Sequence, residues 1–66
     1  MKILFSSGLY PKKVVESSAA DFAALARFQI LEKDGIIEVE AIPEAHAEVG
    51  ENFADEFSNY VLGQMA

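Results

Sequence analysis

The spacing of apolar residues along the chain switches between two and three-to-four, and each switch marks a change of element. Residues 2–6, KILFS, alternate. They predict a short strand with Ile3 and Phe5 on one face and Leu4 on the other. The stretch SGLYP breaks that pattern, and Pro11 suits the first turn of a helix, where its missing N–H costs nothing. From Pro11 to about Leu25 the period is helical: Val15, Ala19, Phe22 and Ala26 recur at spacings of four, three and four. Val14, Ser18 and Leu25 flank this face, while Lys12, Glu16 and Ala20 lie on the other side.

The stretch RFQILEKDGIIEVEAIPE returns to a period of two. Asp34-Gly35 is a preferred two-residue hairpin turn, because a type I′ turn needs positive φ at both positions. Pairing outward from Lys33 and Ile36 sets Leu31 opposite Glu38, Ile30 opposite Val39 and Phe28 opposite Ala41. One face then carries Phe28, Ile30, Ile37, Val39 and Ala41 and is core. The other carries Arg27, Gln29, Leu31, Glu38, Glu40 and Ile42, a mixed face able to meet water or a partner. Pro43 cannot donate to a ladder and closes the strand.

EAHAEVG, residues 44–50, reads as a connection or a first helical turn, with acidic residues favourable at a helix N-terminus. A second helix follows, with Val49, Phe53, Phe57, Tyr60 and Val61 inward and Glu51, Asp55, Ser58 and Asn59 largely outward. Gly63 marks fraying near its end. The order is therefore strand, helix, strand, strand, helix, in one α+β domain over residues 1–66. A crossover from the first strand to the second leaves room for the third between them, antiparallel to both. The expected fold is a three-stranded antiparallel sheet of order 1-3-2 with both helices on one face, a ferredoxin-like arrangement without its last strand. The first strand would then present an open edge, the kind of edge that pairs with other chains.

Composition removes several function classes. There is no Cys and one His, so disulfides and thiolate metal sites are excluded and a zinc site would have to rest on carboxylates. Eleven acidic residues against five basic ones give a net charge of −6, which repels nucleic acid. The apolar runs fall far below the roughly 20 residues of a membrane span. MKILFSSGL is too short for a signal peptide and doubles as a strand, so the expected location is the cytoplasm.

Candidate chemistry is thin. Glu38 and Glu40 point the same way from one strand, as acid–base pairs do, but a solvated acidic face explains them better. His46 has no nucleophile to serve and reads as a loop histidine. The SSG stretch at residues 6–8 is a loop rather than an anion cradle. Tyr60 falls on the apolar stripe and belongs to the core or its edge, whereas Tyr10 suits a core edge or a binding surface equally. With no nucleophile–base pair, metal set or cofactor motif, the expectation is a non-catalytic protein without a cofactor. It would bind a peptide or partner protein by strand addition at Ile3, Leu4 and Phe5, with Leu31, Glu38, Glu40 and Ile42 as a second surface. The alternative is a homodimeric structural subunit, paired through the first strand or the open sheet face.

Two stretches carry a family resemblance. YPKKVVESSAADF has Tyr10-Pro11 followed by Ala19 and Phe22, and FADEFSNYVLG has Phe53, Glu56, Phe57 and Leu62. With the strand–turn–strand between them, residues 10–62 resemble the HxsD-like family. Its members are small proteins that accompany radical-SAM enzymes in His-Xaa-Ser peptide-modification systems. Asp55 stands where the family pattern has Asn, Asn59 where it has an acid and Gly63 where it has Arg. The resemblance implies an accessory protein that helps an enzyme engage a peptide.

Overall fold

Alternation and turn chemistry set the sheet. In the computed structural model, which describes residues 1–45 and 50–65, the strands are β1 (Lys2–Ser6), β2 (Ala26–Lys33) and β3 (Ile36–Pro43). The helices are α1 (Lys12–Asp21) and α2 (Phe53–Gln64), giving β-α-β-β-α. β3 lies between β1 and β2 and is antiparallel to both, so the sheet order is 1-3-2. The hairpin register is the one expected: Lys33 opposite Ile36, Leu31 opposite Glu38, Ile30 opposite Val39 and Phe28 opposite Ala41. Asp34 and Gly35 have φ of 54° and 80°, the two positive values of a type I′ turn.

Both helices cover one face of the sheet. Ile3 and Phe5 of β1 and Ile37 and Val39 of β3 form one buried cluster with Val15 and Ala19 of α1 and Phe57 and Val61 of α2. A smaller cluster of Ala26, Ala41 and Phe53 closes the other end. Phe57 sits among aromatic neighbours, with ring centroids 6.2 Å from Phe5, 5.3 Å from Phe22 and 5.1 Å from Phe28. Such offset and edge-on contacts add to the area they bury. Tyr10 is half-buried with its ring 4.9 Å from Phe5, so it belongs to the core edge.

Several element boundaries differ from the sequence reading. α1 ends at Asp21, not near Leu25, and Ala26 opens β2. The Phe22 N–H still reaches the Ser18 and Ala19 carbonyls and the Ala23 N–H the Ala20 carbonyl, but the Leu25 and Ala26 N–H groups both bond to Phe22 O and form a closed turn. Pairing Ala26 with Pro43 and Leu25 O with the Glu44 N–H draws the chain into the sheet. Tertiary pairing there outweighs a helical spacing that Ala26 happens to continue. Pro11 stands one place earlier than expected, as N-cap, with φ −64° and ψ 134°. Gly63 lies within α2, which continues to Gln64. His46 and Val49 fall outside the described residues.

Candidate functional site

The sheet has one covered and one bare face. On the bare face the register lays side chains in rows across the strands: Lys2–Glu40–Gln29, Leu4–Glu38–Leu31 and Ser6–Ile36–Lys33. Ile42 and Arg27 follow beyond Glu40. On the edge strands Leu4 is 59% exposed and Leu31 60%, and on the central strand Ile42 is 49% and Ile36 43% exposed. Leu4, Leu31 and Ile36 surround Glu38, so the apolar groups are neighbours and not scattered.

Charge on this face is balanced. Lys2 Nζ lies 3.3 Å from Glu38 Oε1, and Arg27 Nε lies 3.4 Å from Glu44 Oε1. Both pairs are solvent-exposed and add little stability. Lys2, Arg27 and Lys33 match Glu38, Glu40 and Glu44 in number, so the net −6 of the chain resides elsewhere. The face is near neutral and partly apolar in a molecule that is otherwise acidic. Glu38 and Glu40 share the face as expected, with Lys2 beside Glu38 and no enclosing wall among the described residues.

The β1 edge is narrower than the sequence implies. Met1 and Ala41 exchange both backbone hydrogen bonds, and Ser7 N–H reaches Gly35 O. By the alternation of antiparallel ladders, Ile3 and Phe5 also turn their backbone groups to β3. Their side chains are buried, at 7% and 4% exposure. Lys2 and Leu4 therefore carry the outward N–H and C=O groups, with Ser6, whose carbonyl is taken by Leu9 and Tyr10 N–H. Of Ile3, Leu4 and Phe5, Leu4 alone offers both side chain and backbone to a partner.

The opposite edge is longer. Lys33 and Ile36 flank the two-residue turn and form the bonded pair that closes it, so Leu31, Gln29 and Arg27 turn their backbone groups to β3 as well. Glu44 N–H to Leu25 O continues the same series. Phe28, Ile30 and Glu32 are left with N–H and C=O pointing outward, and nothing among the described residues pairs with them. Beside this edge a groove of about 530 Å³ runs between α1 and β2. Ala19, Ala20 and Ala23 wall it, Phe28 and Ile30 floor it, and Glu16 stands at one end. The sequence reading missed this groove. Its available signal was the run AADFAALA, which leaves the flank of α1 without bulk, together with the phase of the Asp34-Gly35 turn.

Tyr60 joins the helices: its hydroxyl donates to Asp21 Oδ2 at 2.6 Å, and its ring lies 5.1 Å from Phe22. The hydrogen bond to Asp21 raises the Tyr60 pKa above its ordinary value, helped by desolvation and by the carboxylate's charge. No three of the described His, Asp or Glu side chains gather as metal ligands, and no described helix is long and apolar enough to cross a membrane. Comparison of the chain with protein-family models, with curated proteins and with solved structures finds no match in any of the three.

Proposed function

We propose that this chain is a small, non-catalytic interaction protein that docks a partner protein on its bare sheet face. The observation that carries this is the near-neutral patch of Leu4, Leu31, Ile36 and Ile42, set on a molecule whose net charge lies elsewhere. Exposed apolar neighbours with a polar surround are what a docking surface offers. A second copy is the weaker fit. Stacking two such faces centre on centre would bring the Glu38 and Glu40 carboxylates of both copies together on the middle strands, while Lys2, Arg27 and Lys33 stay on the flanking strands. A partner with apolar side chains and its own complementary charges avoids that cost. The Leu4 edge of β1 extends the surface by strand addition.

The HxsD-like resemblance gives the partner a class: an enzyme of radical-SAM peptide modification, with this chain as its accessory in the cytoplasm. The test is affinity capture from the native host with wild-type bait, a Leu31→Glu face variant and a Leu4→Pro edge variant. Leu4 turns its N–H outward, so proline there leaves the ladder to β3 intact. Recovery of a radical-SAM enzyme or a His/Ser-repeat peptide by the wild type, lost with Leu31→Glu, is the expected result. Recovery of nothing but further copies of the bait, with sedimentation showing a dimer, would replace this reading with the homodimeric subunit.

A further inference from the structure

The groove between α1 and β2 faces away from the bare sheet face and has features of its own. Its floor is a strand edge with the N–H and C=O groups of Phe28, Ile30 and Glu32 unpaired among the described residues. Its wall is alanine, so α1 stands back from that edge and leaves about 530 Å³ of open space. That volume is in the range of small-molecule clefts, and the groove is open along the strand edge. Its polar groups are asymmetric. α1 runs antiparallel to β2, which brings Glu16 to the Ile30 end, where Glu32 follows on the same face of the strand. Neither glutamate is in an ion pair among the described residues, whereas Glu38, Glu40 and Glu44 each lie near a cation.

From this geometry we infer that the groove binds an extended peptide segment as a fourth strand beside β2, with the pattern basic-x-apolar-x-apolar. An antiparallel strand forms bonded pairs with Glu32, Ile30 and Phe28 in turn, and directly opposed residues share a face. The peptide residue opposite Glu32 meets Glu16 and Glu32 and is therefore Lys or Arg. The residues opposite Ile30 and Phe28 enter the groove under Ala20 and Ala23 and are apolar and of modest size. The intervening residues point to the other face and are free to vary. Main-chain bonds supply affinity, and the alternating side chains supply selectivity. The net charge of −6 favours a cationic segment over an acidic one.

The inference does not depend on the bare face, and the two can fail separately. The probe is a fluorescein-labelled synthetic peptide with Lys-Thr-Val-Thr-Ala at its centre, read by anisotropy against the whole chain at low ionic strength. Saturable binding is expected, weakened at least tenfold when the peptide Lys becomes Glu and restored in part by the protein double variant Glu16→Lys, Glu32→Lys. Ala20→Phe, at an exposed helix position, fills the groove without entering the core and should abolish binding with the thermal midpoint unchanged. Leu31→Glu should leave peptide binding intact. No saturable binding up to millimolar peptide overturns the inference, as does binding that survives Ala20→Phe. Self-association of the unliganded chain that Ala20→Phe abolishes would also overturn it, by making a second copy the occupant.

Discussion

The Tyr60 hydroxyl donates a 2.6 Å hydrogen bond to Asp21 Oδ2, tying the last residue of α1 to the middle of α2. The helices have no connecting segment of their own, since β2 and β3 intervene between them. This bond and the ring contact of Tyr60 with Phe22 join the two helices at the edge of their buried packing.

A pH dependence follows from that bond. The folded pKa of Tyr60 is raised above its unfolded value near 10 because the protonated hydroxyl is the donor. Its contribution is fully present below the unfolded pKa and is lost as pH rises through the folded one. Wild type should thus be more stable than Tyr60→Phe by a constant margin from pH 6 to about 9, and the margin should shrink above about 10. Urea melts of both proteins across that range give the margin directly. A gap that stays level to pH 11 would show that the hydroxyl does not act as this donor.

Ser18 lies on the inner face of α1, is fully buried, and its Oγ has no hydrogen-bond partner among the described residues. A buried hydroxyl without a partner costs about 1–3 kcal/mol, and alanine is also the better helix former. Ser18→Ala should therefore stabilise the fold by about 1–2 kcal/mol. For a domain this small each kcal/mol moves the thermal midpoint by roughly 4–8 °C. Calorimetry that finds a lowered midpoint would mean the hydroxyl is satisfied in solution.

The hairpin turn carries a separate test. Gly35 has φ of 80°, and a Cβ there would meet nothing nearer than Ser7 Oγ at 4.0 Å. Gly35→Ala should then cost about 1–2 kcal/mol through backbone strain alone, because there is no clash to add. Asp34→Gly, at φ 54°, removes a side chain from a position that glycine accepts readily and should be near neutral. Equal effects from the two substitutions in denaturant melts would rule out a type I′ turn here.

The same turn explains which parts of the molecule could be read in advance. Asp34-Gly35 fixes the phase of β2 against β3, and with side chains alternating, every residue of both strands is assigned to a face. Leu31, Glu38, Glu40 and Ile42 were legible as one surface for that reason. β1 was legible as a strand, but which backbone groups it leaves free depends on the Met1–Ala41 and Ser7–Gly35 bonds, and these follow from how β1 sits against β3. The end of α1 was not legible, since Phe22 and Ala26 are four apart and satisfy a helix while Ala26 belongs to the sheet. The groove was hidden for a related cause. It exists because alanines on one flank of α1 fall beside the β2 edge, and a helix's sideways position over a sheet is set by the packing of Val15, Ala19, Phe57 and Val61, not by its own pattern.

That packing converges on Phe57. It is fully buried and has ring neighbours from β1, β2 and the turn after α1, in Phe5, Phe28 and Phe22. Truncating a buried phenylalanine to alanine costs about 3–5 kcal/mol. Native domains hold roughly 0.05–0.15 kcal/mol per residue, so a chain of this length has on the order of 3–10 kcal/mol in total. Phe57→Ala should leave the chain largely unfolded at 37 °C, with flattened near-ultraviolet dichroism and a sharply reduced urea midpoint. Phe57→Leu keeps most of the apolar volume and loses the ring contacts, so it should fold with a loss of about 1–2 kcal/mol. Leu62→Ala, at an exposed position of the same helix, should change stability by less than about 0.5 kcal/mol. If Phe57→Ala proved no worse than Leu62→Ala, the aromatic cluster would not be the centre of the fold, and the placement of α1 and α2 over the sheet would have to rest on other contacts.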